Sequence, residues 1–141
     1  MGTPNARSIL YRLIEAGQLA RQALLVPLIE RGLEAGDDAV LLLLRDEPVA
    51  SEADLCTALG LERAALQPRL ERLAHHGVIE RRAVGSRLVP MLVLTDRGRR
   101  IGDSLAAKWS TLERAMLAGL RRKERRDLRK RLGRVVETLR S

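Results

Sequence analysis

At 141 residues the chain has the length of one compact domain, and its 26 Lys or Arg against 18 Asp or Glu give a formal charge of +8 that favours an anionic partner such as nucleic acid. The single cysteine, Cys56, excludes an intramolecular disulfide and a cysteine-based zinc site, and the adjacent His75 and His76 cannot close a metal site alone. Only Tyr11 and Trp109 carry large rings, which argues against a stacking platform for single-stranded nucleic acid and leaves Leu and Ala to build the core. No segment approaches the roughly 20 apolar residues of a membrane span, and the first ten residues lack the apolar block of a signal peptide. The expected location is the cytoplasm.

The charge is unevenly placed. Residues 1–50 hold five basic and seven acidic side chains, residues 51–100 hold nine and six, and residues 101–141 hold twelve and five. Different parts of the chain are therefore expected to meet different surfaces.

In chain order, residues 5–33 read as a long helix, because Ile9, Leu10, Leu13, Ile14, Leu24, Leu25, Leu28 and Ile29 recur at steps of three and four. Pro27 should kink it. Asp37 and Asp38 follow Gly36 where acidic side chains favour a helix start, and Val40 to Leu44 looks buried on all sides of a helix reaching Arg45. After a turn around Pro48, Ser51 and Asp54 have the spacing of a capping box, opening a helix that points Leu55, Ala58 and Leu59 inward and ends at Gly60. The next helix, Glu62 to His76, turns Leu66, Leu70 and Leu73 to one side and stops at Gly77. Val78 to Arg82 and Leu88 to Leu94 read as strands joined through Val84, Gly85, Ser86 and Arg87 at a hairpin tip. Thr95 and Asp96 suit a cap for a helix running past Trp109 to Leu120, and Arg121 to Leu139 forms a last helix with Leu128, Leu132, Val135, Val136 and Leu139 on its apolar side. Apolar stripes on the two outer helices suit pairing between two copies of the chain.

This order of helices and hairpin is that of a winged helix-turn-helix. The residues Leu55, Cys56, Thr57, Ala58, Leu59, Gly60 and Leu61, then Leu66, Leu70, Arg72, Leu73, Gly77, Val78, Ile79 and Arg81, and finally Leu94, Thr95, Asp96, Arg97 and Gly98, resemble the multiple-antibiotic-resistance regulator (MarR) family over nearly the whole chain. A subsidiary likeness, through Leu66, Pro68, Leu70, Arg72, Leu73 and Gly77, is to the phenolic-acid regulator (PadR) family, which usually lacks the long first helix. The MarR resemblance implies a mostly α fold with a small β-hairpin wing and one domain over 1–141. Residues 5–36 and 100–141 would dimerise, and 37–99 would form the winged region. It also implies a homodimeric regulator, more often a repressor, on a near-palindromic operator of double-stranded DNA, with two reading helices in successive major grooves.

On the Glu62 to His76 helix, 100° per residue turns Ala64, Ala65, Pro68, Glu71, Arg72 and His75 outward, with Gln67 at the margin. Relatives commonly carry Ser or Thr at the positions of Ala64 and Ala65 and a basic residue at Pro68, so base readers are few: alanine can touch a thymine methyl, and Gln67 can contact adenine. Pro68 implies either a kinked helix or one that begins near Gln67. Phosphate contacts are better supplied. Arg87 lies near the position of the family's wing arginine, with Ser86 beside it, Arg63, Arg72, Arg81 and Arg82 surround the reader, and Ser51 can offer hydroxyl and backbone donors. The alternative is that these arginines form a solvated surface with Glu62, Glu71 and Glu80.

The run Arg121 to Arg134 carries nine Lys or Arg against Glu124 and Asp127 and reads first as a solvated face. It could also pair with Glu15, Glu30, Glu34, Asp37 and Asp38 within a dimer. Cys56 reads as a buried small hydrophobe rather than a sensor, and the two histidines as cap or solvent residues. The family implies a small-molecule effector in a cleft, here drawing on Leu, Val and Met91 or Met116, with Asp38 where relatives often have an aromatic residue. No effector-binding residues can be assigned. No cofactor is implied, and no nucleophile and base pair or glycine-rich phosphate loop suggests an enzyme. A second functional class is a winged-helix dimer that has lost specific DNA reading and serves as a protein-interaction module.

Overall fold

A computed structural model describes residues 8–86 and 88–141. The chain divides into two compact units, Met1–Trp109 and Ser110–Ser141. The first holds helices α1 (Ile9–Glu30), α2 (Asp37–Asp46), α3 (Glu52–Leu59) and α4 (Arg63–His75), strands β1 (Ile79–Arg82) and β2 (Met91–Leu94), and most of α5 (Asp96–Met116). The second holds the end of α5 and α6 (Arg122–Arg140).

Every predicted element is present, with shifted ends. The first three residues of the predicted leading helix lie outside the described residues, and α1 opens where the Ser8 hydroxyl accepts from the Tyr11 N–H at 3.0 Å. It continues helical through Pro27. The predicted capping box at α3 forms in full, with Asp54 N–H donating to the Ser51 hydroxyl and Ser51 N–H to the Asp54 carboxylate, both at 3.0 Å. Gly60 (φ 66°) closes α3 in the left-handed region. At the end of α4, Gly77 (φ 73°) donates to the Ala74 carbonyl and Val78 to the Leu73 carbonyl, which reverses the chain directly into β1.

β1 and β2 pair antiparallel from Ile79 opposite Leu94 to Arg82 opposite Met91. The second strand is shorter than its predicted Leu88 to Leu94. Pro90 has no N–H for a ladder, and Leu88 and Val89 are 100% and 60% exposed, with nothing to pack against. Ala50 adds an isolated bridge to Leu92, so the segment entering α3 is stitched to the wing (2.7 and 3.2 Å).

The core of the first unit is almost wholly aliphatic: Leu28, Val40, Leu41, Leu44, Leu55, Leu66, Leu70, Leu73, Ile79, Met91, Leu92 and Leu105 are fully closed from solvent. Leucine fills the role that the sequence assigned to it, whereas alanine does not, since Ala50 is the one alanine counted in the described core. Met91, expected at an effector cleft, is instead closed inside this core, and Met116 is exposed in the second unit.

In the second unit α6 buries no residue. Its Leu132, Val135, Val136 and Leu139 remain exposed, as do Ile9, Leu10, Ile14, Leu19, Val26 and Ile29 along α1 in the first.

Candidate nucleic-acid interface

The helix-turn-helix consists of α3, the turn Gly60 to Glu62, and α4. Leu66, Leu70 and Leu73 seat α4 on the core with no exposed surface, as their spacing predicted. The opposite face consequently presents Ala64, Ala65, Pro68, Glu71 and His75 to solvent, with Gln67 half-buried at the margin. Helix α4 begins at Arg63 and passes through Pro68, which overturns the alternative start near Gln67. The reason lies in exposure: Pro68 forfeits the bond to the Ala64 carbonyl, but both residues are exposed, where water can satisfy that oxygen.

Arg72 is the clearest correction. Predicted on the outer face, it turns instead to the first turn of α2, where its two guanidinium nitrogens meet both oxygens of Asp37 at 2.7 Å. Arg69, which the sequence reading passed over, donates to Asp37 Oδ1 at 2.5 Å and to the Ala35 carbonyl at 3.1 Å. Asp37 has no exposed surface, and the Glu34 N–H completes its shell at 2.8 Å. A carboxylate closed from water must be paired, and two arginines one helical turn apart on α4 supply the pairing. Burial pushes the Asp37 carboxyl up. The Arg72 bonds, the Glu34 N–H and the nearby charges of Arg72 and Arg69 together outweigh that and hold it below the ordinary aspartate range.

Asp38 is equally closed and faces the other way. It accepts two bonds from Arg21 of α1, at 2.7 and 2.9 Å, and one from the Trp109 indole of α5 at 2.9 Å. Both acids of the α2 start are thus engaged inside the first unit. The nine basic residues of the Arg121 to Arg134 run are exposed, as a solvated face requires.

A third cluster centres on Glu52, the first residue of α3. Its carboxylate accepts from Arg81 of β1 at 2.6 Å, faces Arg63 of α4 at 3.5 Å and takes a long contact from the Gln67 amide at 3.4 Å. The Arg81 hydrogen bond is the main influence holding the Glu52 carboxyl below the ordinary glutamate range. The arginines do form surface ion pairs, but Glu52 is the principal acid for Arg63 and Arg81. Of Glu62, Glu71 and Glu80, the acids expected to share that surface, Glu80 takes an arginine among the described residues, Arg82. Ser51 is partly spent as well: its N–H and the acceptor side of its hydroxyl are engaged by Asp54. Ser86 is exposed in the wing loop, and Arg87 lies outside the described residues. Cys56 is half-buried rather than enclosed. His75 and His76 are exposed, their rings edge to face at 6.3 Å.

Among the described residues no group of His, Cys, Asp and Glu is placed to hold a metal ion, and no helix is long and apolar enough to cross a membrane. No protein-family model matches the chain, and no curated protein matches it by sequence. Solved structures do. A MarR family transcriptional regulator from Listeria monocytogenes, complexed with a 26mer DNA, superposes with a TM-score of 0.88 at 16% identity, covering 95% of this chain and 90% of that one. The fold is that of the MarR-family winged-helix regulators. CouR from Rhodococcus jostii, bound to p-coumaroyl-CoA, shares it at a TM-score of 0.82 and 18% identity over 95% of both chains. A MarR family protein of Mycobacterium tuberculosis in complex with salicylic acid shares it at 0.68 and 24%, over 91% of this chain and 96% of that one. Within that fold, α3 and α4 form the helix-turn-helix, and β1 and β2 form the hairpin.

Proposed function

We propose that the chain is a transcriptional regulator, and more specifically a repressor, that binds a near-palindromic operator in double-stranded DNA as a homodimer in the cytoplasm. The carrying observation is the exposed face of α4 flanked by Arg63, Arg81 and Arg82, on a fold shared with a regulator solved in complex with DNA. Arg63, Arg81, Arg82, Arg87, Ser51 and Ser86 act on phosphate, while Ala64, Ala65, Gln67 and Pro68 meet the base edges. Release by a small acidic or acyl compound is the regulation that the ligand-bound neighbours support.

The six of these arginines per dimer that the structure describes, Arg63, Arg81 and Arg82 from each subunit, set the least salt dependence expected. On a duplex from the gene's own upstream region, affinity measured by fluorescence anisotropy should fall roughly 10³-fold between 50 and 200 mM salt. The triple change Arg63→Ala, Arg81→Ala, Arg82→Ala should flatten most of that slope. Binding indifferent to salt and to sequence would sink the proposal.

The dimer is carried by the apolar stripes of α1 and α6, each left without cover within its own unit. Light scattering is expected to give twice the 15.7 kDa chain mass. A monomer at micromolar concentration would count against it.

A second reading, a dimer that has lost specific DNA reading and binds protein, is favoured by the donor-poor surface of Ala64, Ala65 and Pro68. An operator-to-random affinity ratio well above about 10³ at physiological salt removes it.

A further inference from the structure

Of the groups assigned to the DNA surface that do not stand free, four lie together, and three of these converge on one acid. Glu52 sits at the first position of α3, its side chain 21% exposed, and ties α3 to two other elements: it meets Arg81 of β1 at 2.6 Å, Arg63 of α4 at 3.5 Å, and Gln67 of α4 at 3.4 Å. The fourth, Ser51, is the residue before it. A carboxylate that gathers two guanidinium groups and an amide at a helix N-terminus offers these donors the same unit negative charge as a backbone phosphate.

We infer that Glu52 is a built-in phosphate mimic that holds Arg63, Gln67 and Arg81 in the free protein and must give them up when DNA arrives. The inference rests on the DNA-binding reading above. Its consequence is a lower affinity for arbitrary duplex, because every phosphate contact by Arg81 or Arg63 displaces an existing ion pair. The sequence-independent part of binding is thereby weakened, and Gln67 is released for a base edge only when α4 docks closely.

A purely structural Glu52 would predict weaker DNA binding on its removal, whereas a mimic predicts tighter binding. The variant Glu52→Gln keeps the size of the side chain and one acceptor oxygen, and removes the charge. On a random 26-base-pair duplex it should bind about threefold to fivefold more tightly than wild type, with a log affinity against log salt slope steeper by about one per subunit. Glu52→Asp, which keeps the charge but draws it back by one methylene, should fall between the two. Thermal melts of each variant establish that the folded chain is being measured, and Glu52→Asp carries the test if Glu52→Gln melts early. Equal or weaker binding by both folded variants, with an unchanged slope, overturns the inference while leaving the DNA-binding reading intact. A wild-type chain that binds no duplex in a salt-dependent manner overturns both.

Discussion

Replacing Asp37 with Asn is expected to lower stability by about 3 kcal/mol, read as a drop of roughly 10 °C in melting temperature. Asp37 is closed from solvent and ties three segments together, because Arg69 and Arg72 reach it from α4 while Glu34 donates from the turn before α2. An Asn oxygen can still accept one of these bonds, but its amide then faces a guanidinium and no charge offsets the two arginines. The arginine side chains are about one quarter exposed (24% and 26%), so water relieves part of the loss, and the figure is placed at the low end for a broken buried pair. Against a total stability of about 5–15 kcal/mol for a domain, this is a large share. Arg72→Lys should produce a smaller loss, since a lysine retains the charge but cannot meet both oxygens at once. A melting temperature for Asp37→Asn within 2 °C of wild type would show that the cluster contributes little.

The same carboxylate gives a pH dependence with a defined sign. Its folded-state pKa lies below its unfolded value, so the unfolded chain takes up a proton first as pH falls. The stabilisation is therefore complete above the ordinary aspartate range near pH 4 and is lost as pH drops through the lower folded value. Urea titrations at pH 6 and at pH 3 should show wild type losing stability between them, with Asp37→Asn losing less.

The sequence carried the architecture well because the signals for it are local. Steps of three and four placed Leu66, Leu70 and Leu73 inward, the Ser51 and Asp54 spacing specified its own cap, and Gly77 ended α4 in the conformation that glycine tolerates best. The candidate site was less legible because the misplacement of Arg72 and the oversight of Glu52 both turn on pairings between distant segments. Arg72 was placed outward by an angle that is correct to within one position, and what turns it aside is a buried acid 35 residues earlier. The dipeptide Asp37-Asp38 offered a signal in hindsight: two acids at the head of the apolar run Val40 to Leu44 stand where solvent is scarce, and each therefore needs a cation. Glu52 gave no comparable sign, since a glutamate in the first turn of a helix is ordinary on dipole grounds alone. Its role depends on α3, α4 and β1 meeting at one point, which no spacing within the chain encodes.

Gly98 is where a single added carbon should be felt most in the winged unit. In the sequence it stands out only within the Leu94 to Gly98 likeness, and packing supplies the physical reason for a glycine there. A Cβ at Gly98 would overlap the Val78 carbonyl oxygen and stand 2.9 Å from the Val78 carbonyl carbon and 3.3 Å from a Leu94 methyl. Two of these are backbone atoms, so no rotamer change relieves the contact, and α5 or β1 has to move. That junction is also tightly bonded: the Thr95 N–H donates to the same Val78 carbonyl at 3.1 Å, the Thr95 hydroxyl donates to the Gly77 carbonyl at 2.6 Å, and Gly98 N–H donates back to the Thr95 hydroxyl at 3.0 Å. Displacing α5 therefore breaks the cap of α5 and the stop of α4 together. Gly98→Ala is expected to cost about 3 kcal/mol or more, at the upper end for an overpacked core, and to weaken DNA binding by loosening the wing against α4. Gly102, one turn further along α5, is the control. A Cβ there meets its nearest neighbours at 3.9 Å, ordinary contact, so Gly102→Ala should raise stability by about 0.5–1 kcal/mol through helix propensity alone. Chemical denaturation of the two variants side by side tests the assignment: equal stabilities would mean that helix propensity, and not the approach of α5 to Val78, governs both positions.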